Sequence, residues 1–264
     1  MTDWLELCRA AVADVDAVLA RMPTRAEREP VVGAGLGGDE TTAIDRAAED
    51  VILARVREAA GAIVSEEVGR LGGEARPLVV VDPIDGSLNA KRGIPFFSVS
   101  IAVAEGETMD DVLFGFVHDF GSREEWTARR GGGAWLNGDA LGEVRPKDEV
   151  EILSFEATRT SLVARDAPKV AELAHRLRIM GSLALSLCHL AAGRVDAVCS
   201  LKGARSVDIA AAQLLCREVG LAIDLFDVED AFGAAPLDLE QRSRVAAAGS
   251  EAVCGRLAAA LRGG

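Results

Sequence analysis

Two aspartates three residues apart, Asp82 and Asp85, lie between an apolar run and a glycine in Leu78-Val79-Val80-Val81-Asp82-Pro83-Ile84-Asp85-Gly86-Ser87-Leu88-Asn89. Hard divalent cations such as Mg²⁺ take carboxylate and carbonyl oxygens, and usually keep some waters and a substrate phosphate. Gly86 admits an unusual backbone angle directly after the acids. The N–H groups of Gly86 and Ser87, at a helix start, would make an anion nest. Metal beside phosphate is the chemistry this stretch offers. The same letters also fit an ordinary strand-to-turn junction, since Asp-Pro and Asp-Gly are common turn pairs.

Several other stretches place polar or charged groups near the ends of expected elements. The apolar run 78–81 reads as a buried strand that stops at Asp82-Pro83, where proline cannot donate to a ladder. Ala62-Ile63-Val64-Ser65-Glu66-Glu67 reads as a short strand ending in two acids. Side chains alternate along a strand, so only one of the two should reach a given ion. Thr41-Thr42-Ala43-Ile44-Asp45 opens a helix to about residue 60, with Asp45 a first-turn acid favoured by the helix dipole. Arg178-Ile179-Met180-Gly181-Ser182-Leu183-Ala184 reads as a strand end, a glycine turn and a helix to about residue 192. Lys202 and Arg205 precede Asp208, which reads as the N-cap of an apolar helix ending near Gly220. As basic residues in an acidic chain, they are candidates for gripping a distal phosphate.

The remaining pattern supplies a frame. Helical spacing covers 3–21 and ends at Pro23; strands are expected at 97–105 and 112–118, and a hairpin over 126–138. Gly131-Gly132-Gly133 in that hairpin reads as turn chemistry. A polar stretch at 145–148 divides the chain into lobes at 1–150 and 151–264. Beyond it come a strand at 151–155, a helix at 168–177, strands at 195–200 and 245–250, and a closing helix at 252–262. The glycine-rich run 33–40 is no P-loop, since no Gly-Lys-[Ser/Thr] follows; it is a linker or a loop that closes over a site.

Composition narrows the function. A formal charge of −13, with only four lysines, makes the chain a poor general binder of nucleic acid or anionic membrane. An anionic substrate must then meet local positive charge or metal. The five cysteines (8, 188, 199, 216, 254) show no C-x-x-C spacing and read as buried thiols of a reducing cytoplasm. The N-terminal residues lack a signal-peptide pattern, and no apolar run reaches membrane-spanning length. The three histidines form no zinc-type cluster, and no G-x-S-x-G occurs.

Taken at full length, Asp82-Pro83-Ile84-Asp85-Gly86-Ser87-Leu88-Asn89 resembles the D-P-[IL]-D-G-[TS]-x-N signature of the inositol monophosphatase superfamily. The continuation from Ala90 to Ser100 is most similar to its archaeal branch, whose members act on both fructose 1,6-bisphosphate and inositol monophosphate. Glu66-Glu67, Thr42 to Asp45, Arg178 to Ala184, and the segment around Asp208 resemble further motifs, in family order. The resemblance implies an α/β (α+β) fold, a layered αβαβα sandwich, with metals between the lobes. It implies a Mg²⁺-dependent phosphomonoesterase using two or three ions, replaceable by Mn²⁺. Glu66, Asp82 and the Ile84 carbonyl would hold one ion, and Asp82, Asp85 and Asp208 a second. A third, looser ion would use Glu66 and Asp45. Ser87 and Asp45 would orient the attacking water, and the N–H groups of Gly86 and Ser87 the phosphate. Arg178 and the Leu183 backbone would contact substrate. A homodimer in the cytoplasm is the family expectation. Two alternatives stay open: a 3′(2′),5′-bisphosphate nucleotidase or NADP phosphatase, and a non-catalytic RNA- or protein-binding regulator.

Overall fold

The computed structural model of the protein describes residues 2–36, 40–145, 147, 149–157 and 159–263. Its centre is the strand Leu78–Asp85, buried on both faces. Val79 and Val81 pack on one side with Cys8, Val15, Ile44 and Ile52, from the helices Trp4–Arg21 and Ala43–Val56. Leu78 and Val80 pack on the other side with Leu187, Ala211 and Leu215, from the helices Leu183–Ala191 and Ser206–Glu218. Burial on both faces explains why the run is continuously apolar rather than alternating.

This strand belongs to an eight-stranded sheet. In spatial order the strands are Asp139–Ala140, Gly133–Leu136, Glu125–Arg129, Val112–Asp119, Ser98–Ala104, Leu78–Asp85, Ala62–Ser65 and Gly69–Leu71. Only the pair Ala62–Ser65 and Leu78–Asp85 is parallel. A second sheet orders its strands as Ala174–Arg178, Val150–Glu156, Ala197–Ser200, Val245–Ala248 and Ala222–Leu225. Val198 and Ala247 turn toward the central helix pair. Phe155, Cys199 and Ala246 turn instead toward Val253 and Leu257 of the closing helix Glu251–Arg262. The result is the expected layering: helix pair, sheet, helix pair, sheet, helix. All five cysteines are free and buried, as their apolar surroundings predict.

Four local readings are corrected. The central strand does not stop at Asp82-Pro83. It continues to Asp85, with Asp82 opposite Ser100 and Asp85 opposite Ser98. Two residues on this strand face one on its partner, so Pro83 sits in a bulge, where a missing donor is tolerated. Glu66 and Glu67 lie in the turn after Ala62–Ser65, so strand alternation does not separate them. No helix spans 168–177. Thr160–Asp166 is helical, Ala167–Val170 is a 3₁₀ turn with Pro168 at its start, and Ala174–Arg178 is an edge strand. Parallel pairing with Val150–Glu156 outweighs the helical spacing there. Asp208 stands in the first turn of its helix, with Arg205 at the cap position.

The glycine triplet forms a turn, with φ of +67° at Gly131 and +105° at Gly133. The glycine-rich run begins as the strand Val31–Ala34, paired antiparallel with Glu40–Thr42; residues 37–39 lie outside the described set. Residues 146 and 148 of the expected lobe boundary also lie outside it.

Candidate active site

The central strand delivers Asp82 and Asp85 to a cleft of about 470 Å³. Asp82 is buried, and its Oδ1 accepts the Ile84 N–H at 3.1 Å, which fixes the bulge. The chain then turns at Gly86, whose φ is +94°. A Cβ there would meet the carbonyls of Gly181 and Phe96, each at 3.1 Å, so both conformation and space select glycine. The short helix Ser87–Arg92 follows, and the Ser87 hydroxyl donates to the Ile84 carbonyl at 2.9 Å.

Other elements close the cleft. Asp85 Oδ2 accepts from Ser182 Oγ at 2.6 Å and from the Ala184 N–H at 2.7 Å, holding the N-terminus of the helix Leu183–Ala191. Glu156 ends the strand Val150–Glu156 and accepts the Gly181 N–H at 2.8 Å, fixing the turn whose Leu183 lines the cleft. Asn89 Nδ2 donates to the carbonyls of Phe96 and Met180, each at 2.8 Å, tying the motif to both neighbours. The Thr42 hydroxyl and N–H both donate to Asp45 Oδ2, leaving Oδ1 buried without a hydrogen-bond partner among the described residues. Glu49 is fully buried and accepts the N–H groups of Glu67 and Val68, each at 3.1 Å, shaping the turn that carries Glu66.

The structure thus brings Asp45, Glu66, Asp82, Ile84, Asp85, Gly86, Ser87, Leu183, Lys202, Arg205 and Asp208 to one cleft. Arg178 is not among its lining residues. It is exposed at the end of the edge strand, and its guanidinium donates to the Leu177 carbonyl. The expectation for Arg205 also changes. Rather than reaching outward for a phosphate, its guanidinium lies buried against Glu66 and Asp208. Sequence reading missed Glu67, Thr42 and Lys91 as cleft residues and Glu156 as its support. Thr42 was within reach of a capping-box pattern with Asp45. Glu156 carried little sequence signal: apart from Ser154 on its own strand, its side-chain partners Met180, Gly181 and Ser186 lie 24 or more residues away.

Electrostatics set this cleft apart. Burial, then repulsion from Asp208, pushes the Glu66 carboxyl up to about 7 against the pull of Arg205. Burial also lifts Asp85 to about 7, although Ser182 works the other way. Asp82 is raised well above the usual carboxylate range, first by burial and then by Glu66, Asp85 and Asp208. Carboxylates held this way favour any cation that enters. The donor set, all oxygen, suits a hard ion, and Asp45, whose Oδ1 has no partner among the described residues, lines the same cleft. The residues fit such an ion in kind. As they stand, no three Asp, Glu, His or Cys side chains among the described residues are drawn close enough together to hold one.

The layered α/β sandwich thus carries an acidic cleft at the end of its central strand. The sequence profile described as "Inositol monophosphatase family" matches residues 5–263, and the chain belongs to that family. It is 32% identical over 249 residues to the fructose-1,6-bisphosphatase/inositol-1-monophosphatase of Archaeoglobus fulgidus, covering 93% of each. It is 37% identical over 192 residues to the Nus factor SuhB of Pasteurella multocida, covering 69% of this chain and 70% of that one. A crystal structure of an inositol monophosphatase–fructose 1,6-bisphosphatase superposes with a TM-score of 0.83 at 27% identity, over 98% of this chain and 100% of that one.

Proposed function

We propose that the protein is a Mg²⁺-dependent phosphomonoesterase acting on fructose 1,6-bisphosphate and inositol 1-phosphate. The observation that carries this reading is the convergence of Asp45, Glu66, Asp82, Asp85 and Asp208, from four separate segments, on one cleft beside Gly86 and Ser87. The relatives named for both activities support the substrate pair.

Glu66, Asp82, the Ile84 carbonyl, Asp85 and Asp208 are the residues that would hold two ions, with Asp45 beside a third. Ions bound there supply Lewis acidity and charge neutralisation for in-line displacement at phosphorus. The remaining work belongs to the chain. Asp45, fixed by Thr42, presents Oδ1 to accept a proton from the attacking water and aim its lone pair. Ser87 donates its O–H to the Ile84 carbonyl, and its hydroxyl oxygen is placed to accept a hydrogen bond from the same water. The backbone N–H groups of Gly86 and Ser87 hold the equatorial oxygens. Lys202 and Lys91 line the cleft and supply positive charge to a second phosphate. A cytoplasmic homodimer goes with this reading, and light scattering checks the dimer.

The test is phosphate release from each substrate with Mg²⁺ and with EDTA. Release from both, abolished by EDTA, is the expected result. Release from a 3′-phosphonucleotide or NADP alone would keep the phosphatase class and overturn the substrate pair. No release from any ester, in folded protein, would overturn the enzyme reading and favour the regulatory role suggested by the SuhB relative.

A further inference from the structure

Arg205 is 5% exposed and sits within the carboxylate cluster rather than at its rim. One guanidinium nitrogen donates to Glu66 Oε1, across 139 residues of sequence, and also to Asp208 Oδ1 at 2.9 Å. Asp208 Oδ2 accepts the Arg205 N–H at 2.6 Å and its Nε at 3.3 Å. Both oxygens of Asp208 and one of Glu66 are therefore occupied by a single residue. Buried carboxylates without compensation are costly, and a guanidinium with five donors is well shaped to supply the compensation. Those lone pairs are also the ones a divalent ion would need. A donor N–H and a cation cannot both occupy the same face of one oxygen, so the two must compete.

We infer that Arg205 is the built-in counter-cation of this cleft, holding Glu66 and Asp208 when no divalent ion is bound and leaving them when one enters. The inference rests on the metal-dependent reading above and adds a regulatory element to it. Arg205 lowers the cleft's affinity for divalent ions and keeps the ion-free protein folded. Once displaced, its charge is available within the same cleft for an anionic substrate. Arg205 acts here as a positioning residue, through the carboxylates it holds.

The test is Mn²⁺ titration calorimetry of the wild type and Arg205→Met, with thermal unfolding of each in EDTA. The expected result is at least about tenfold tighter binding of the first ion by R205M, the scale of removing one buried charge competitor. A lower unfolding midpoint in EDTA, restored by Mn²⁺, should accompany it. Equal or weaker binding by folded R205M overturns the inference. Should R205M fail to fold in EDTA, ¹⁵N-arginine resonances of the wild type decide. Loss of Nε–H protection at Arg205 on adding Mg²⁺ supports displacement, and an unmoved resonance overturns it. Absence of Mn²⁺ binding in both proteins would instead strike the metal-dependent reading itself, and the inference with it.

Discussion

Asp85 gives Oδ2 to Ser182 and the Ala184 N–H, so it joins two distant segments as well as contributing charge to the cleft. The two tasks separate by substitution. An asparagine keeps an acceptor oxygen and loses the charge; an alanine loses both. Asp85→Asn is expected to unfold within about 1 kcal/mol of the wild type and to lose about 10²–10³-fold in kcat, the scale of one electrostatic group at a reacting centre. Chemical denaturation beside phosphate release checks this, and undiminished kcat would remove Asp85 from the chemistry. Asn89 makes a complementary case. Its amide satisfies the Phe96 and Met180 carbonyls, and Asn89→Ala leaves both without that donor. A loss of about 2 kcal/mol in unfolding free energy is expected from denaturant titration. At this scale, Asp82 and Asp85 were legible from their spacing in a turn, whereas Asp45 and Asp208 were singled out only by the family resemblance. The direction of Arg205 was not legible: Asp208 lies only three residues on, but Glu66, which draws the guanidinium inward, lies 139 residues away and meets it only in the folded chain.

Long apolar elements were the easiest to read. The helix Trp4–Arg21 begins after Asp3, whose side chain accepts the Glu6 N–H, and the strand pattern over Val112–Asp119 matches the observed span closely. Ala174–Arg178 was misread because its exposed edge carries His175, Arg176 and Arg178, which imitate the polar face of a helix. Only its pairing with Val150–Glu156 settles it as a strand. Packing between elements left a clearer trace in glycine. Gly115, in the strand Val112–Asp119, lies under the helix Ser206–Glu218, and a Cβ there would stand 2.6 Å from the Ala211 carbonyl oxygen. Gly115→Ala is expected to cost about 1–3 kcal/mol through forced separation of helix and sheet. That helix carries Asp208, so affinity for the divalent ion should weaken in parallel. A variant with unchanged unfolding free energy would show that the layer has slack.

The whole molecule carries a formal charge of −13, with several carboxylates gathered in one cleft. Self-repulsion of this kind is weakened by dissolved salt. The unfolding midpoint of the EDTA-treated protein is expected to rise as NaCl goes from about 0.05 M to about 1 M, the range over which the Debye length shrinks severalfold. Scanning calorimetry checks it; a falling midpoint would mean that the surface ion pairs, such as Arg123 with Asp16, outweigh the net charge. The five-layer order came from the family resemblance; the apolar pattern alone gave the helices and strands but not their stacking. The sharing of one cleft between the two halves of the chain was likewise implied only by the resemblance, since no local pattern records which segments meet. The bulge between Asp82 and Asp85 has one more consequence, for how such a chain can change over generations. With two residues opposite Val99, the count between the aspartates decides which way each points. Letters inside that interval are free to drift among small and apolar types. A single inserted or deleted codon there would turn one aspartate into a core, so descendants of this protein can vary the wording of the motif far more readily than its length.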